Sequence, residues 1–179
     1  MRLSSSLRSL RAITPIRLSL ASAALALLAC APAAATTGDP QLLAESGAWQ
    51  TYKAATSGRT SCYILSAPTA RRPDGLKRGP AYLFVSRNPR DEIALELGFP
   101  LDTDARSTLT VGSQEFELGE QNGQAWLLDA DEQRRAVTAL KQGANATVET
   151  TSVRQNVTED TYSLEGFTKA YETMMSECR

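Results

Sequence analysis

The chain of 179 residues contains no histidine. Without an imidazole it cannot perform Ser-His-Asp or Cys-His catalysis, and it cannot hold zinc or copper through histidine. It also lacks a hydrophobic run suited to a stable membrane anchor, because its apolar stretch 18–31 is shorter than the roughly 20 residues that a spanning helix needs. We find no catalytic motif, internal repeat or low-complexity block, and we therefore expect no catalytic, cofactor or metal site.

The first 35 residues have the pattern of an export signal. A cationic lead without acidic residues precedes the apolar stretch, and its basic residues are Arg2, Arg8, Arg11 and Arg17. The stretch ends in Pro32-Ala33-Ala34-Ala35, whose small residues suit signal-peptidase cleavage before Thr36. Alternatively, Leu27-Leu28-Ala29-Cys30 is a lipoprotein box in which Cys30 is lipidated. Both endings predict export to the periplasm or the outer surface, either as a free protein or on a lipid anchor.

The remaining chain is acidic. Four of the 19 basic residues and none of the 20 acidic residues lie within 1–35, which leaves 15 basic and 20 acidic residues and a net charge of −5. Nucleic-acid binders and polybasic membrane binders need clustered cations. We therefore expect neither kind of partner, and no transmembrane helix in the processed form.

Cysteine parity predicts one disulfide. Both fates of the signal remove Cys30 from thiol chemistry, either by cleavage or by acylation of its sulfur. Cys62 and Cys178 then remain as an even pair in an oxidising compartment. We expect these two residues to be bonded.

The rest of the chain predicts one mainly β domain, 47–179, after a small and polar flexible leader at 36–46. Apolar and β-branched segments separated by turn residues indicate short antiparallel strands. Gly112-Ser113 suits a two-residue hairpin between two of them. The strands are expected at 49–55, 62–65, 81–87, 92–99, 107–111, 114–118, 125–128, 147–153 and 160–164.

Two helices complete the predicted domain. Acidic residues at 129–132 precede a stripe of Ala136, Val137 and Leu140, which is typical of a short capped helix. Caps and turns explain the acidic residues at 102–104 and 129–132 better than calcium does, since neither segment has the ligand spacing of an EF-hand loop. From Phe167 a second apolar stripe runs to Cys178 at helical spacing. The predicted fold is a β-sandwich or flattened barrel with a short internal helix and a C-terminal helix.

A set of residues spread over the chain forms a recognisable pattern. It comprises Trp49 with Tyr52, Cys62-Tyr63-Ile64, Arg78-Gly79-x-x-Tyr82, Trp126 and the run Asp-Thr-Tyr-Ser-Leu-Glu-Gly-Phe at 160–167. This pattern resembles the invasion-associated locus B family of exported alphaproteobacterial proteins, over nearly the whole chain after the signal. The resemblance implies a compact, mostly β domain in the periplasm or on the outer surface. It implies no catalytic residues, since no activity is established for the family.

The segment 66–80 is rich in cations, proline and glycine. Arg71, Arg72, Lys77 and Arg78 stand against a single Asp74, which makes the segment a candidate patch for an anion or an acidic partner. The alternative is a solvated loop whose charges contribute only to solubility. Because exposed charges contribute little to folding, we expect the four cations to be replaceable with little change in melting temperature.

These observations favour an exported, non-enzymatic binding protein. One alternative is a surface factor that engages a host or envelope partner in invasion. Another is an envelope glycan hydrolase that uses two carboxylates, for example Asp160 and Glu165. Trp49 and Trp126 are expected to pack in the core or at a sheet edge rather than to form a ligand platform.

Overall fold

A single antiparallel sheet curls around two helices in the computed structural model. The structure describes residues 38–56, 59–87 and 91–178, all of them within one unit, Ala34–Arg179. Cys30, the cleavage site and Thr36 lie outside the described residues, so both fates of the signal stay predictions.

The described residues form eleven strands and two helices. In chain order they are β1 (Gly38–Ser46), β2 (Trp49–Thr56), β3 (Arg59–Ser66), β4 (Ala70–Arg72), β5 (Tyr82–Arg87), β6 (Asp91–Glu96), β7 (Ser107–Val111), β8 (Gln114–Gln121), β9 (Gln124–Leu127), α1 (Ala130–Gln142), β10 (Asn145–Thr151), β11 (Val157–Ser163) and α2 (Phe167–Glu177).

Neighbouring strands pair antiparallel in the order β1-β2-β3-β5-β6-β9-β8-β7-β10-β11-β4. The two sides of this sheet approach each other, because Nε1 of Trp49 on β2 donates a hydrogen bond of 3.0 Å to the carbonyl of Ser163 on β11. Next to it, the amide of Ala48 donates to the carbonyl of Glu165 over 3.0 Å. The sheet therefore folds back on itself in a flattened, sandwich-like arrangement, and the predicted mainly β fold with an internal and a C-terminal helix is confirmed.

Alternation along each strand puts one face of the sheet inside. On β7, Ser107, Leu109 and Val111 are buried, while the residues between them are partly exposed. Both helices turn their apolar stripes toward the interior. Trp49 is fully buried and lies edge-on to Phe167, with ring centroids 4.8 Å apart, so its predicted packing role is confirmed.

Acidic side chains cap and turn the chain as predicted. Oδ1 of Asp129 accepts hydrogen bonds from the amides of Asp131 at 2.7 Å and Glu132 at 3.1 Å, at the start of α1. Oδ1 of Asp102 accepts from the amide of Asp104 at 3.1 Å, in the turn before β7. Each carboxylate thus satisfies local backbone donors.

The buried amide of Gln133 on α1 completes the pairing of β6 and β9. The strands pair directly at Ala94↔Trp126, but one residue further the side chain of Gln133 stands between them. Its Oε1 accepts from the amide of Ile93 at 2.7 Å, and its Nε2 donates to the carbonyl of Leu127 at 2.9 Å. The side chain therefore satisfies two buried backbone groups that would otherwise lack partners.

The prediction of a flexible leader at 36–46 is wrong over its described part. Gly38–Ser46 forms β1, an edge strand paired with β2. The register shifts between Gly38 and Gln41, around Pro40, which has no amide hydrogen to donate. Edge strands tolerate proline and bulges, so pairing with β2 outweighs the weak strand propensity of this segment.

The segment 66–80 is not entirely a loop, since Ala70–Arg72 forms β4 opposite 159–161 of β11. Strand β6 ends at Glu96 rather than at the expected residue 99, because Gly98 has a φ of +75° and lies against Gly79. The amide of Gly79 donates to the carbonyl of Gly98 over 2.8 Å. A Cβ on Gly98 would lie 2.5 Å from the carbonyl oxygen of Gly79, so only glycine allows this approach of the loop to the end of β6.

Cys62 on β3 and Cys178 after α2 form the predicted disulfide, with Cα atoms 5.9 Å apart and a sequence separation of 116. Cys62 is fully buried on the inner face of the sheet. The bond therefore fastens the end of the C-terminal helix to the interior.

We predict that Cys178→Ser lowers the free energy of unfolding by roughly 4–5 kcal/mol, because the bond closes a loop of over 100 residues in the unfolded chain. Thermal denaturation should show a melting temperature lower by roughly 10 °C or more. Wild-type protein treated with a reductant is the matched control and should melt near the variant. Equal melting temperatures for oxidised wild type and variant would show that the bond contributes nothing.

Candidate functional site

Two arginines of the 66–80 segment converge on a buried carboxylate, Asp160. Inward and outward positions alternate along β11, and Asp160 points inside with its side chain 2% exposed. Arg71 stands directly opposite on β4, and its Nε lies 3.2 Å from Oδ2 of Asp160. Nη1 of Arg78 donates to Oδ1 over 2.7 Å, and the Arg78 side chain is 5% exposed. We call these three residues the Asp160 clamp.

Arg71 also joins three backbone segments. Its Nη1 donates to the carbonyl of Gly79 over 2.8 Å, and its Nη2 donates to the carbonyl of Leu97 over 2.9 Å. One guanidinium thus contacts β11, the loop before β5 and the end of β6. The planar fork of donors on arginine suits such a junction, which a lysine could not reproduce.

The interpretation of the four cations as a free anion patch is therefore wrong for Arg71 and Arg78. Both are used in internal ion pairs, and breaking a buried pair leaves an uncompensated charge. The expectation that the loop cations contribute little to stability is wrong for the same reason. Arg72 and Lys77 are exposed, and no ion pair to either is found in the described part of the chain.

Beside the clamp lies a cleft of about 480 Å³, which we call the end cleft. Three segments line it: the loop 75–78, the bend 98–100 after β6, and the 152–158 stretch that joins β10 to β11. Its apolar wall includes Leu76, Phe99 and Val153, and Val153 is 56% exposed. The cleft is therefore open at the surface and large enough for a small ligand.

The charges that line the end cleft are all positive. They belong to Lys77, Arg78 and Arg154, and no carboxylate is among the lining residues. One of these cations, Arg78, is paired with Asp160, whose single negative charge also faces Arg71. The clamp therefore keeps a net positive charge. An anion in the cleft would meet an excess of positive charge together with an apolar wall.

Of the four cations singled out in the sequence, Lys77 and Arg78 line the cleft, whereas Arg71 and Arg72 do not. Arg154 was missed. It is an isolated cation in a turn, where Gln155 has a φ of +62°, and no cluster of like charges marks it in the sequence. The pairing of β4 with β11 and the hydrogen bond from the amide of Val153 to the carbonyl of Pro100 bring it to the same end of the sheet as Lys77.

Glu120, near the end of β8, is a second residue that sequence reasoning missed. It follows the inward positions Phe116 and Leu118, and both of its carboxyl oxygens are buried without a hydrogen-bond partner within the described ranges. Burial and, secondarily, the nearby charge of Asp102 raise the pKa of Glu120 from 4.5 to about 7. Asp102 in turn accepts a hydrogen bond from the side chain of Gln155. Glu120 therefore lies near the 152–158 stretch that lines the cleft.

The carboxylate pair considered for glycan hydrolysis does not face a shared cleft. Asp160 is buried in the clamp, whereas Glu165 is exposed in the turn before α2. Neither residue lines the end cleft. The two carboxyl groups are therefore not placed to act as acid and base on either side of a glycosidic bond.

The family model described as invasion associated locus B (IalB) protein matches residues 49–175, from the start of β2 into α2. A solved structure titled as invasion associated protein b from Bartonella henselae is 17% identical, with a TM-score of 0.59, over 76% of this chain and 96% of that chain. At this identity the likeness concerns the fold alone. No curated protein matches the chain.

We predict that Arg78→Ser lowers the free energy of unfolding by about 1.5–3 kcal/mol, because it removes a charge-assisted hydrogen bond to the buried Asp160, which keeps Arg71 as its other partner. Arg72→Ser is the matched control on an exposed neighbour and should change stability by less than about 0.5 kcal/mol. Chemical denaturation of both variants makes the comparison. Equal midpoints for the two would refute the clamp.

We predict that stability falls as pH rises from about 4.5 to about 7 through the raised pKa of Glu120. In this window the folded state keeps a proton that the unfolded state has released, so the free energy of unfolding decreases with pH and levels off above the folded pKa. Glu120→Gln cannot ionise and should flatten this dependence and melt higher than wild type above about pH 7. Glu117→Gln, exposed on the same strand, is the control. Parallel pH profiles for wild type and Glu120→Gln would contradict the assignment.

Proposed function

The chain belongs to the invasion associated locus B (IalB) protein family, and we propose that it is an exported, non-enzymatic binding protein of the periplasm or cell surface. We propose further that its end cleft holds a small anionic ligand with an apolar portion, such as a lipid with a phosphate or carboxylate headgroup. The observation that carries this proposal is the lining of the cleft, which combines three cations with an apolar wall and lacks a carboxylate.

The polar side of such a ligand would be held at Lys77 and Arg154. Both are exposed and free of ion pairs in the described ranges, so neither must break an internal contact to bind. Arg78 is paired with Asp160 at 2.7 Å, and it adds its positive charge to the wall of the cleft. Hydrogen bonds to charged groups contribute roughly 1.5–3 kcal/mol each, so two free cations can hold one headgroup.

The apolar portion would lie along Phe99, Leu76 and Val153. Val153 is more than half exposed, and covering it on binding removes apolar surface from water. An inorganic anion would leave this wall unused, and an uncharged lipid would leave the cations unused. The lining therefore favours a ligand that carries both chemistries.

Long-range electrostatics oppose the encounter rather than assist it. The chain after residue 35 carries the net charge of −5 derived above from the 15 basic and 20 acidic residues, which repels anions at a distance. Recognition must then come from short contacts within the cleft. Such contacts between exposed groups are screened by salt, so binding should weaken as salt is raised.

The described residues contain no helix that is long and apolar enough to cross a membrane. Export rests on the sequence of 1–35, and the choice between a free form and a form lipidated at Cys30 stays open. A role in host-cell invasion, which the name of the family suggests, would require that the bound component belong to a host or envelope surface.

We predict that lysophosphatidylglycerol, kept below its micelle concentration, binds more tightly than lysophosphatidylcholine of the same chain length, as measured by calorimetry. Lys77→Ser combined with Arg154→Ser should weaken binding of the anionic lipid by at least about tenfold, which is 1.4 kcal/mol, without changing the melting temperature. Arg72→Ser, an exposed cation outside the lining, is the control and should bind as wild type does. Equal binding of the two lipids, or no loss in the double variant, would refute the proposal.

A further inference from the structure

The outer face of the sheet carries a row of partly exposed aromatic rings. Because the alternate positions point inward, five aromatic residues share the outer side of β2, β3, β5 and β9. We call them the aromatic row: Tyr52, Tyr63, Tyr82, Phe84 and Trp126, each only half-buried. The register places Tyr52 opposite Tyr63, and it places Phe84 and Trp126 on either side of Ala94. Trp126 was expected to pack in the core or at a sheet edge, whereas it lies half-buried on this outer face.

Four of the five rings form a continuous surface, and Trp126 lies beyond Ala94 from Phe84. Tyr52 and Tyr63 stack with centroids 5.4 Å apart and planes 15° from parallel. Phe84 lies 6.2 Å from Tyr63 and 5.8 Å from Tyr82. Both helices pack on the opposite, inner face, where Oγ1 of Thr51 meets the carbonyl of Ala170 on α2 at 3.5 Å. Contiguous apolar surface of this kind, rimmed by polar groups, is typical of an interaction site.

The charges on this face are mainly negative. Glu92 and Glu96 on β6 lie two residues on either side of Ala94, pairing in register with Ser86 and Tyr82. Both are exposed, and no ion pair to either is found over the described ranges. On β3 the cation Arg59 shares this face, four residues before Tyr63. Arg87 and Arg134 line a cleft together with Glu92 and Trp126, but they are paired with Asp91 and Asp131.

We propose that the aromatic row binds an extended basic segment of a partner protein, with lysine or arginine side chains over the rings and paired with Glu92 and Glu96. The faces of aromatic rings attract cations, and unpaired carboxylates add to that attraction. An anionic partner would be repelled by the same carboxylates. A purely apolar partner would bury them without compensation, which is costly.

The dimensions of the row agree with such a segment. From β2 to β9 it crosses four inter-strand steps of about 4.8 Å, or roughly 19 Å. An extended chain covers that distance with about six residues. The protein already holds a cation over a ring elsewhere, since Nζ of Lys141 lies 3.9 Å from the ring centroid of Tyr171. This surface shares no residue with the end cleft and favours the opposite charge, so it is independent of the anionic ligand proposed above.

The test uses a synthetic peptide of about eight residues in which lysine alternates with threonine, long enough to cross the row. A peptide with glutamate in place of lysine is its counterpart, and binding to the full processed chain is measured by calorimetry. We expect the lysine peptide to bind with an affinity that falls as salt is raised, and the glutamate peptide not to bind. Glu92→Gln combined with Glu96→Gln should lower the affinity for the lysine peptide by at least about tenfold. Tyr63→Ser should lower this affinity as well.

The control variant is Glu115→Gln combined with Glu117→Gln, which removes two exposed carboxylates from β8, where they pair with Arg106. It should bind the lysine peptide as wild type does, and unchanged melting of the Glu92/Glu96 variant excludes a folding defect. The proposal is overturned if the glutamate peptide binds equally well, if the control loses as much affinity, or if the lysine peptide does not bind. It is also overturned if sedimentation shows a dimer of wild type that Tyr63→Ser dissociates, because the face is then an interface between copies.

Discussion

Asp160 pairs with two arginines inside the protein, and the position of the end cleft depends on that interaction. Strand β4 has only three residues and pairs with β11 at the margin of the sheet. Its geometry is fixed by Arg71, which contacts Asp160 and the carbonyls of Gly79 and Leu97 in one planar arrangement. Arg78 then fixes the following loop to the same carboxylate. Removing Asp160 would leave two arginine charges without their common partner, so the position of both side chains depends on this one carboxylate.

The same fold separates two surfaces of opposite character. The interior is closed by the helices, by Trp49 across the two sides of the sheet and by the Cys62–Cys178 bond. At one end of the domain Lys77, Arg78 and Arg154 surround an apolar cleft. On the outer side of the sheet, carboxylates border an aromatic row. A chain with no histidine therefore still offers two chemically distinct contact surfaces, and it does so with arginine, lysine, glutamate and tyrosine side chains.

The sequence predicted the elements whose signals are local. Strand β7 and the start of β8 flank the predicted hairpin at Gly112-Ser113, and helix α1 begins after the Asp129 cap. The two cysteines that remain once Cys30 is set aside form the observed disulfide. Two strands were missed for different reasons. Strand β1 contains proline and has weak strand propensity, and it forms by pairing with its neighbour β2. Strand β4 forms by pairing with β11, which is distant in the sequence. The cations of the 66–80 segment were recognised as a cluster, but periodicity gave no sign of their carboxylate partner, which is 89 residues from Arg71. Arg154 is isolated from other cations in the sequence, and nothing in the sequence distinguishes Glu120 from Glu115 and Glu117 on the same strand, so the fold is needed to reveal their surroundings.

Amide hydrogen exchange of Asp160→Asn tests the central claim, that this carboxylate holds the cleft in place, most directly. In the wild type the amides of Thr69 and Gly79 donate to backbone carbonyls, of Thr161 and Gly98 respectively, and they should be protected. In the variant, protection should fall across 69–80, while the amides of β2 and β3 keep theirs, since local opening follows the loss of local contacts. Unchanged exchange at Thr69 and Gly79 would show that the loop is held by other contacts and that the clamp does not position the cleft.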